Sequence, residues 1–393
     1  MGRLCIFLCI CIFPGIFSIS LSQNVILHGN APSYANSEIV FNKYSDWITK
    51  TEEEIGRCIV DDKGDFKIFM NLDRITFVFS HMGIYKAFLY LEPDKTYEIV
   101  LPEKTDKAPE DELNPYFAES RIQLGIVNVN TGEPNFVIRM FNDAYNPYYN
   151  KHIINFINKD DFSELDEDIE RIEKPFSNSD ISFFNNYRKY RYGLLKHLSY
   201  QQKARSVSDE YFRDKPVLFF NPAYMELFNQ VYDKYFVFFG RTKKGGKIYD
   251  DINRLKSFSE LKNTLYKDGV FSNDTIIELV IIKGIYDEFY DDNFSRSGLF
   301  NILDTLIANT KIKQLRLIAE TVKSKITRLL SGYFPPEFEL YDSDSNLVKL
   351  SDFRGKYVYL NFCTSQSYVC LSEFEVLKGI YDRHKDKLEI VTI

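Results

Sequence analysis

From residue 24 to about 102, apolar positions fall in short runs: SEIVFNKY, GDFKIFMN, TFVFSH, KAFLYL and TYEIVL. Each is rich in Phe, Val, Ile and Tyr, and turn residues separate them at Asp62-Lys63-Gly64-Asp65 and Glu92-Pro93-Asp94-Lys95. Short β-favouring runs at this spacing predict a small β-sandwich over 23–103. Lys104 to Glu112, KTDKAPEDE, reads as a polar linker. The period then lengthens, and 113–331 is expected to be an all-α domain. In NDTIIELVIIKGIYDEFY, Ser272 or Asn273 can cap a helix with Ile277, Ile281 and Ile285 on one face. Phe162 to Ile172, Ser182 to Leu198, Leu299 to Ala308 and Ile312 to Leu330 continue the helical pattern. No fixed-length repeat supports a solenoid. At Ser331-Gly332 the pattern turns again. PPEFELYDSDSNLVKLSDFRGKYVYLNF reads as a hairpin and a further strand, LSEFEVLKGIYDRHKDK as a helix, and LEIVTI as a buried strand. A strand, helix, strand order predicts a right-handed parallel crossover. The expected fold class is multidomain α+β: sandwich, helical region and C-terminal α/β piece.

Composition narrows the function. The chain has 393 residues, 45% hydrophobic and 27% charged, which suits folded domains rather than a disordered chain. Its formal net charge is -7 and it has no basic block, so a nucleic-acid partner is not expected. The 27 Tyr and 34 Phe are spread along the chain, as packing residues would be, and the single Trp47 reads the same way. At the N-terminus Arg3, an apolar run from Leu4 to Phe17 and Ser20-Leu21-Ser22 form the pattern of a secretory signal peptide over 1–22, with an uncleaved membrane anchor as the alternative. The only membrane contact expected is through this segment. Cleavage would leave Cys58, Cys363 and Cys370, an odd set that makes a poor disulfide framework. Export to the periplasm or cell envelope would place them where disulfides persist. Cys58, beside Ile59-Val60, reads as a buried inert thiol.

Other motifs fall short. GRTKKGGK at 240–247 lacks the Ser or Thr of a phosphate loop, and DSDSN at 342–346 lacks the later Gly and Glu of a calcium loop. His28, His81, His152, His197 and His384 show no metal-ligand spacing, and no GxSxG or HExxH phrase is present. Neither a metal nor a cofactor is expected.

One stretch carries chemistry: NFCTSQSYVCLSEF, Asn361 to Phe374. With the strands before it and LEIVTI after it, residues 332–393 resemble the first half of the TlpA/ResA-like thioredoxins of bacterial envelopes. The layout of signal peptide, β domain, helical region and thioredoxin-like domain resembles such proteins of Bacteroidetes. In that family the strand ends in a phrase like NFWATWCxxC. Asn361 and Phe362 match it, Cys363 and Gln366 replace its tryptophans, and Ser367 stands at the attacking cysteine. Cys370 stands at the resolving cysteine and Glu373 at the acidic helix position. The resemblance implies a thiol–disulfide oxidoreductase whose partners are protein thiols or disulfides and an envelope redox protein.

Exchange needs an attacking thiolate, and a serine hydroxyl cannot form a disulfide. The expectation is therefore reduced or absent redox activity, with Cys370 buried one turn into the helix as a poor nucleophile. Any surviving activity would use Cys370 with Cys363, its only nearby partner, and Glu373 as proton acceptor. The six intervening residues, TSQSYV, leave open whether these cysteines pair or stay as two semi-buried thiols. The family would continue beyond Ile393 with a helix, a proline loop and further strands; a fragment, a shortened gene or a partner completing the sheet would each account for the difference. The rival reading is a non-enzymatic envelope binding or scaffold protein working through its β and helical domains.

Overall fold

The computed structural model describes residues 24–393 except 113, 115, 128, 159–161, 199–203 and 365–366. The expected signal peptide at 1–22 lies outside the described residues. The chain is mixed α/β and divides into two compact units, one ending at Lys323 and one spanning Ser324–Ile393.

The first unit begins with strands β1 (Val25–Asn30), β2 (Glu38–Tyr44), β3 (Glu52–Ile59), β4 (Asp65–Met70), β5 (Thr76–Met82), β6 (Tyr85–Leu91) and β7 (Thr96–Val100), and adds β8 (Ser120–Gln123) and β9 (Gly125–Ile126). They form a four-stranded sheet, β4-β1-β7-β9, and a five-stranded one, β3-β2-β5-β6-β8. Pairing is antiparallel except for β1 with β7 and β6 with β8. Strict alternation turns one face of each sheet inward. Phe66, Ile68 and Met70 of β4 share one hydrophobic cluster with Phe41, Val78 and Leu89 of the other sheet.

The sheet region runs further than expected. β8 pairs in parallel with β6, Tyr85 opposite Ser120, and β9 pairs with Val100 and Ile99 of β7. One short helix, Pro109–Glu112, lies in the expected linker, and the long helices begin not near residue 113 but with helix Pro134–Asn158. Such short strands carry no period of their own; the exposed sheet edges select them.

The five-stranded sheet is apolar on both faces. Opposite its core-facing residues, Phe77 lies 5.4 Å from Phe88 and 5.5 Å from Tyr90, ring to ring. Tyr44 stands 4.7 Å from Phe79. The helical region covers part of this outer face. Helix Ser182–Leu198 sets Phe183 and Tyr187 against Tyr90, at 5.8 and 6.2 Å. Asn135, near the start of helix Pro134–Asn158, donates to the Tyr90 carbonyl at 2.6 Å and accepts from its N–H at 2.7 Å. It thus takes the place of a neighbouring strand.

Within the helical region Asn273 caps helix Asp274–Glu288, accepting from the Ile276 N–H at 3.2 Å. Ile277, Ile281 and Ile285 are fully buried, but so are Leu279, Val280 and Ile282. The helix is enclosed rather than one-faced. Gly284 makes room for Phe236, whose ring would lie 2.6 Å from an added Cβ.

The end of this helix caps another. Helix Tyr235–Gly240 starts from Lys234, a left-handed residue with φ 46° and no side-chain cap. The buried Glu288 carboxylate accepts from the Phe236 and Val237 N–H groups at 3.1 and 2.8 Å, and Asp287 accepts from Lys234 at 3.3 Å.

The second unit holds an antiparallel hairpin, β10 (Glu339–Tyr341) with β11 (Leu347–Lys349), and a parallel pair, β12 (Tyr357–Asn361) with β13 (Leu388–Thr392). The DSDSN stretch is the hairpin turn: the Asp342 carboxylate accepts from Asp344 and Asn346 N–H groups at 2.9 and 2.8 Å. Helix Tyr368–His384 connects β12 to β13. No helix among the described residues is long and apolar enough to cross a membrane.

Burial outweighs the two backbone bonds and raises the Glu288 pKa from 4.5 to about 7. A raised carboxylate favours the native state most when protonated. Its contribution is full below pH 4.5 and is lost as pH rises to about 7, a change of roughly 3 kcal/mol. Urea unfolding of Glu288→Gln across this window is expected to show a flatter pH dependence than the parent chain.

Candidate functional site

The C-terminal thiol site is built at a strand end and a helix start. Beyond β12 the ladder continues: the Ile393 N–H donates to the Asn361 carbonyl, and the Cys363 N–H donates to the Ile393 carbonyl, both at 2.9 Å. These bonds fix Cys363 at the end of the parallel pair. The chain then turns, with the Ser367 N–H donating to the Thr364 carbonyl at 3.0 Å.

Ser367 has φ -93° and ψ 110°, extended geometry suited to a helix cap. Its hydroxyl oxygen accepts from the Cys370 N–H at 3.3 Å and its carbonyl accepts from the Leu371 N–H at 3.0 Å. One of the orphan donors of the first turn is thereby satisfied. The cap places Cys370 in that first turn, near the positive end of the helix dipole.

Cys363 and Cys370 are free and half-buried, and the Cys363 thiol donates to the Thr364 carbonyl at 3.8 Å. Their environments push the two pKa values apart. The Ser367 side chain, then the Thr364 backbone, then the Cys363 side chain lower the Cys370 pKa. Burial raises that of Cys363, and the neighbouring Cys370 adds to the effect. Cys370 is thus the sulfur prepared to be a thiolate, and Cys363 the thiol that keeps its proton.

Cys370 is half-buried rather than buried as expected. Glu373, one turn further, is exposed and bonds neither sulfur; its charge opposes ionisation of both. Gln366 lies outside the described residues. The Thr364 backbone had no signature in the sequence, because any residue type supplies the same amide. Cys58, in the first unit, is half-buried on β3, and burial raises its pKa.

No three His, Cys, Asp or Glu side chains group as metal ligands among the described residues. No family model, curated protein or solved structure matches this chain.

Iodoacetamide should modify Cys370 faster than Cys363 or Cys58, with a pH midpoint below the ordinary thiol value of about 8.5. Ser367→Ala should move that midpoint upward and cost about 1 kcal/mol of stability through the lost cap. Mass spectrometry of peptides alkylated across a pH series measures both the order and the midpoint.

Proposed function

We propose that this chain is an exported cell-envelope protein of the thiol–disulfide oxidoreductase group, similar to the TlpA-type thioredoxins. In it Cys370 and Cys363 carry a slowed form of the exchange that a CxxC pair performs. The observation that supports this most is a free Cys370 in the first turn of a helix capped by Ser367, with a second free cysteine, Cys363, at the end of the preceding strand. Export is supported by the apolar run that opens the sequence.

The exchange divides into two displacements. The Cys370 thiolate attacks one sulfur of a protein disulfide, forming a mixed disulfide and releasing the other sulfur as a thiolate, which takes a proton from water. Cys363 then loses its proton and attacks the Cys370 sulfur, closing a Cys363–Cys370 disulfide and releasing the second substrate thiol. The substrate gains two electrons and the protein loses two. A dithiol reductant of the envelope must restore the pair. Ser367 takes no part as a nucleophile; its hydroxyl holds the helix start and favours the Cys370 thiolate.

Insulin reduction driven by dithiothreitol tests the proposal on the full chain. Slow turnover above the uncatalysed rate is expected, abolished by Cys370→Ala. Cys363→Ala is expected to stop at a mixed disulfide visible by non-reducing electrophoresis. Turnover unchanged in Cys370→Ala, or none in the parent chain, would overturn the exchange reading and leave the binding or scaffold role.

A further inference from the structure

The outer face of the five-stranded sheet is not wholly covered. A cleft of about 330 Å³ remains between the sheet, the loop after β2 and two helices of the first unit. Phe77 and Tyr90, cross-strand partners on β5 and β6, line its sheet side. Trp47, half-buried on the loop, lies 5.5 Å from Phe77 and edge-on to Tyr44 at 5.1 Å. The Asn229 amide, on helix Pro222–Val231, donates to the Trp47 carbonyl at 2.8 Å and holds the loop in place.

The charges here oppose the rest of the molecule. The whole chain carries -7, yet this cleft is lined by Lys50, Arg121 and Arg191 against a single carboxylate, Glu226. Arg191 gives only its Nη1 to Glu226, at 2.9 Å, while its guanidinium stacks on Tyr145 at 4.4 Å. Its Nε is buried without a partner, as is the Asn229 Oδ1. Arg121 is exposed over Phe77 and Phe88, at 5.9 and 5.6 Å, with no hydrogen bond or ion pair among the described residues.

Packing alone does not call for these features. Three cations gather around one carboxylate, and two of them, Lys50 and Arg121, have no ion pair among the described residues, which leaves the cleft an excess of positive charge. A cationic ligand in an aromatic cage is ruled out by three cations. A nucleic acid would need a long positive surface, not one cleft of this size. The volume sits at the low end for ligand pockets, about 300–1,000 Å³, which suits a single substituted ring. Aromatic faces take the apolar side of such a ring, and the guanidinium groups take a carboxylate. The lining is more polar than apolar, with Lys50, Glu226, Asn229 and Gln230 around it, which suits a hydroxylated ring better than a simple aromatic acid.

We propose that this cleft binds a carboxylate-bearing sugar ring, packed against the half-buried Trp47 and held at its carboxylate by Arg121 and Arg191. The site is independent of the thiol chemistry of the second unit.

Trp47 is the single tryptophan of the chain, so its emission reads the cleft directly. The full chain is titrated with D-glucuronate, D-glucose and benzoate, following fluorescence and ligand-detected NMR saturation transfer. Glucuronate is expected to give a saturable change in the millimolar range, with glucose about tenfold weaker or more. Arg121→Gln is expected to weaken glucuronate about tenfold while leaving the circular dichroism spectrum unchanged, since this side chain bonds nothing in the fold. No saturable response to glucuronate by either method, or an equal response in Arg121→Gln, would overturn the site. Benzoate binding as tightly as glucuronate would overturn the sugar assignment.

Discussion

A sheet that is apolar on both faces has to be covered twice, and this requirement organises the first unit. One face of the five-stranded sheet is buried against the other sheet, with Phe41, Val78 and Leu89 in the shared cluster. The other face carries Tyr44, Phe77, Phe79, Phe88 and Tyr90, and each such ring left in water would forfeit several kcal/mol of burial. The helices are the second cover. Asn135 fastens them to the β6 backbone, and Phe183 and Tyr187 close over Tyr90. Sheet and helical regions pack together as one compact unit ending at Lys323. The cleft at Trp47 is where that cover stops short.

A second, local constraint governs the thiol site. The first N–H groups of a helix need acceptors, and Ser367 supplies one to Cys370. The same side chain is also the largest influence lowering the Cys370 pKa, so capping and thiol acidity rest on one residue. The strand side is equally determined, since the backbone of Cys363 is held by Ile393. Two cysteines separated by six residues are thus placed at a strand end and a helix start by ordinary backbone rules.

Much of this was legible in the sequence because it is periodic. Alternation gave β4 and β7 cleanly, as in DFKIFM and TYEIV, and the three-four spacing gave helix Asp274–Glu288 with its Asn273 cap. What was missed lacks a period. β3 opens with Glu52-Glu53-Glu54 because it is a sheet edge, where charge is tolerated and apolar alternation is not required. β8 and β9 are too short to signal themselves. At the site, the sequence placed Ser367 and Cys370 at a helix start but left open whether Cys363 and Cys370 pair. The effect of one thiol on the other and the positive charge of the cleft were not legible, since both arise from segments brought together only by the fold. Arg121 in particular sits on a strand that reads as part of a helical region, so nothing in its neighbourhood marks it as facing an aromatic wall.

The proposed exchange depends on how far a displaced resolving thiol can replace the usual one. In a CxxC pair both sulfurs ride on one helix start, and closing the disulfide orders little chain. Here six residues intervene, and a free loop of that length would lower the effective concentration of one thiol at the other. The ladder bonds through Asn361, Cys363 and Ile393 change that estimate. They restrict one end of the loop before any disulfide forms, while Ser367 restricts the other, so only the turn between them remains to be ordered. Cys363 also keeps its proton more firmly than Cys370, which leaves the first attack to Cys370 and makes the second displacement the slower one. In the proposed exchange, a serine at the family's attacking position moves the attacking role one helical turn inward and leaves the resolving role to a strand end.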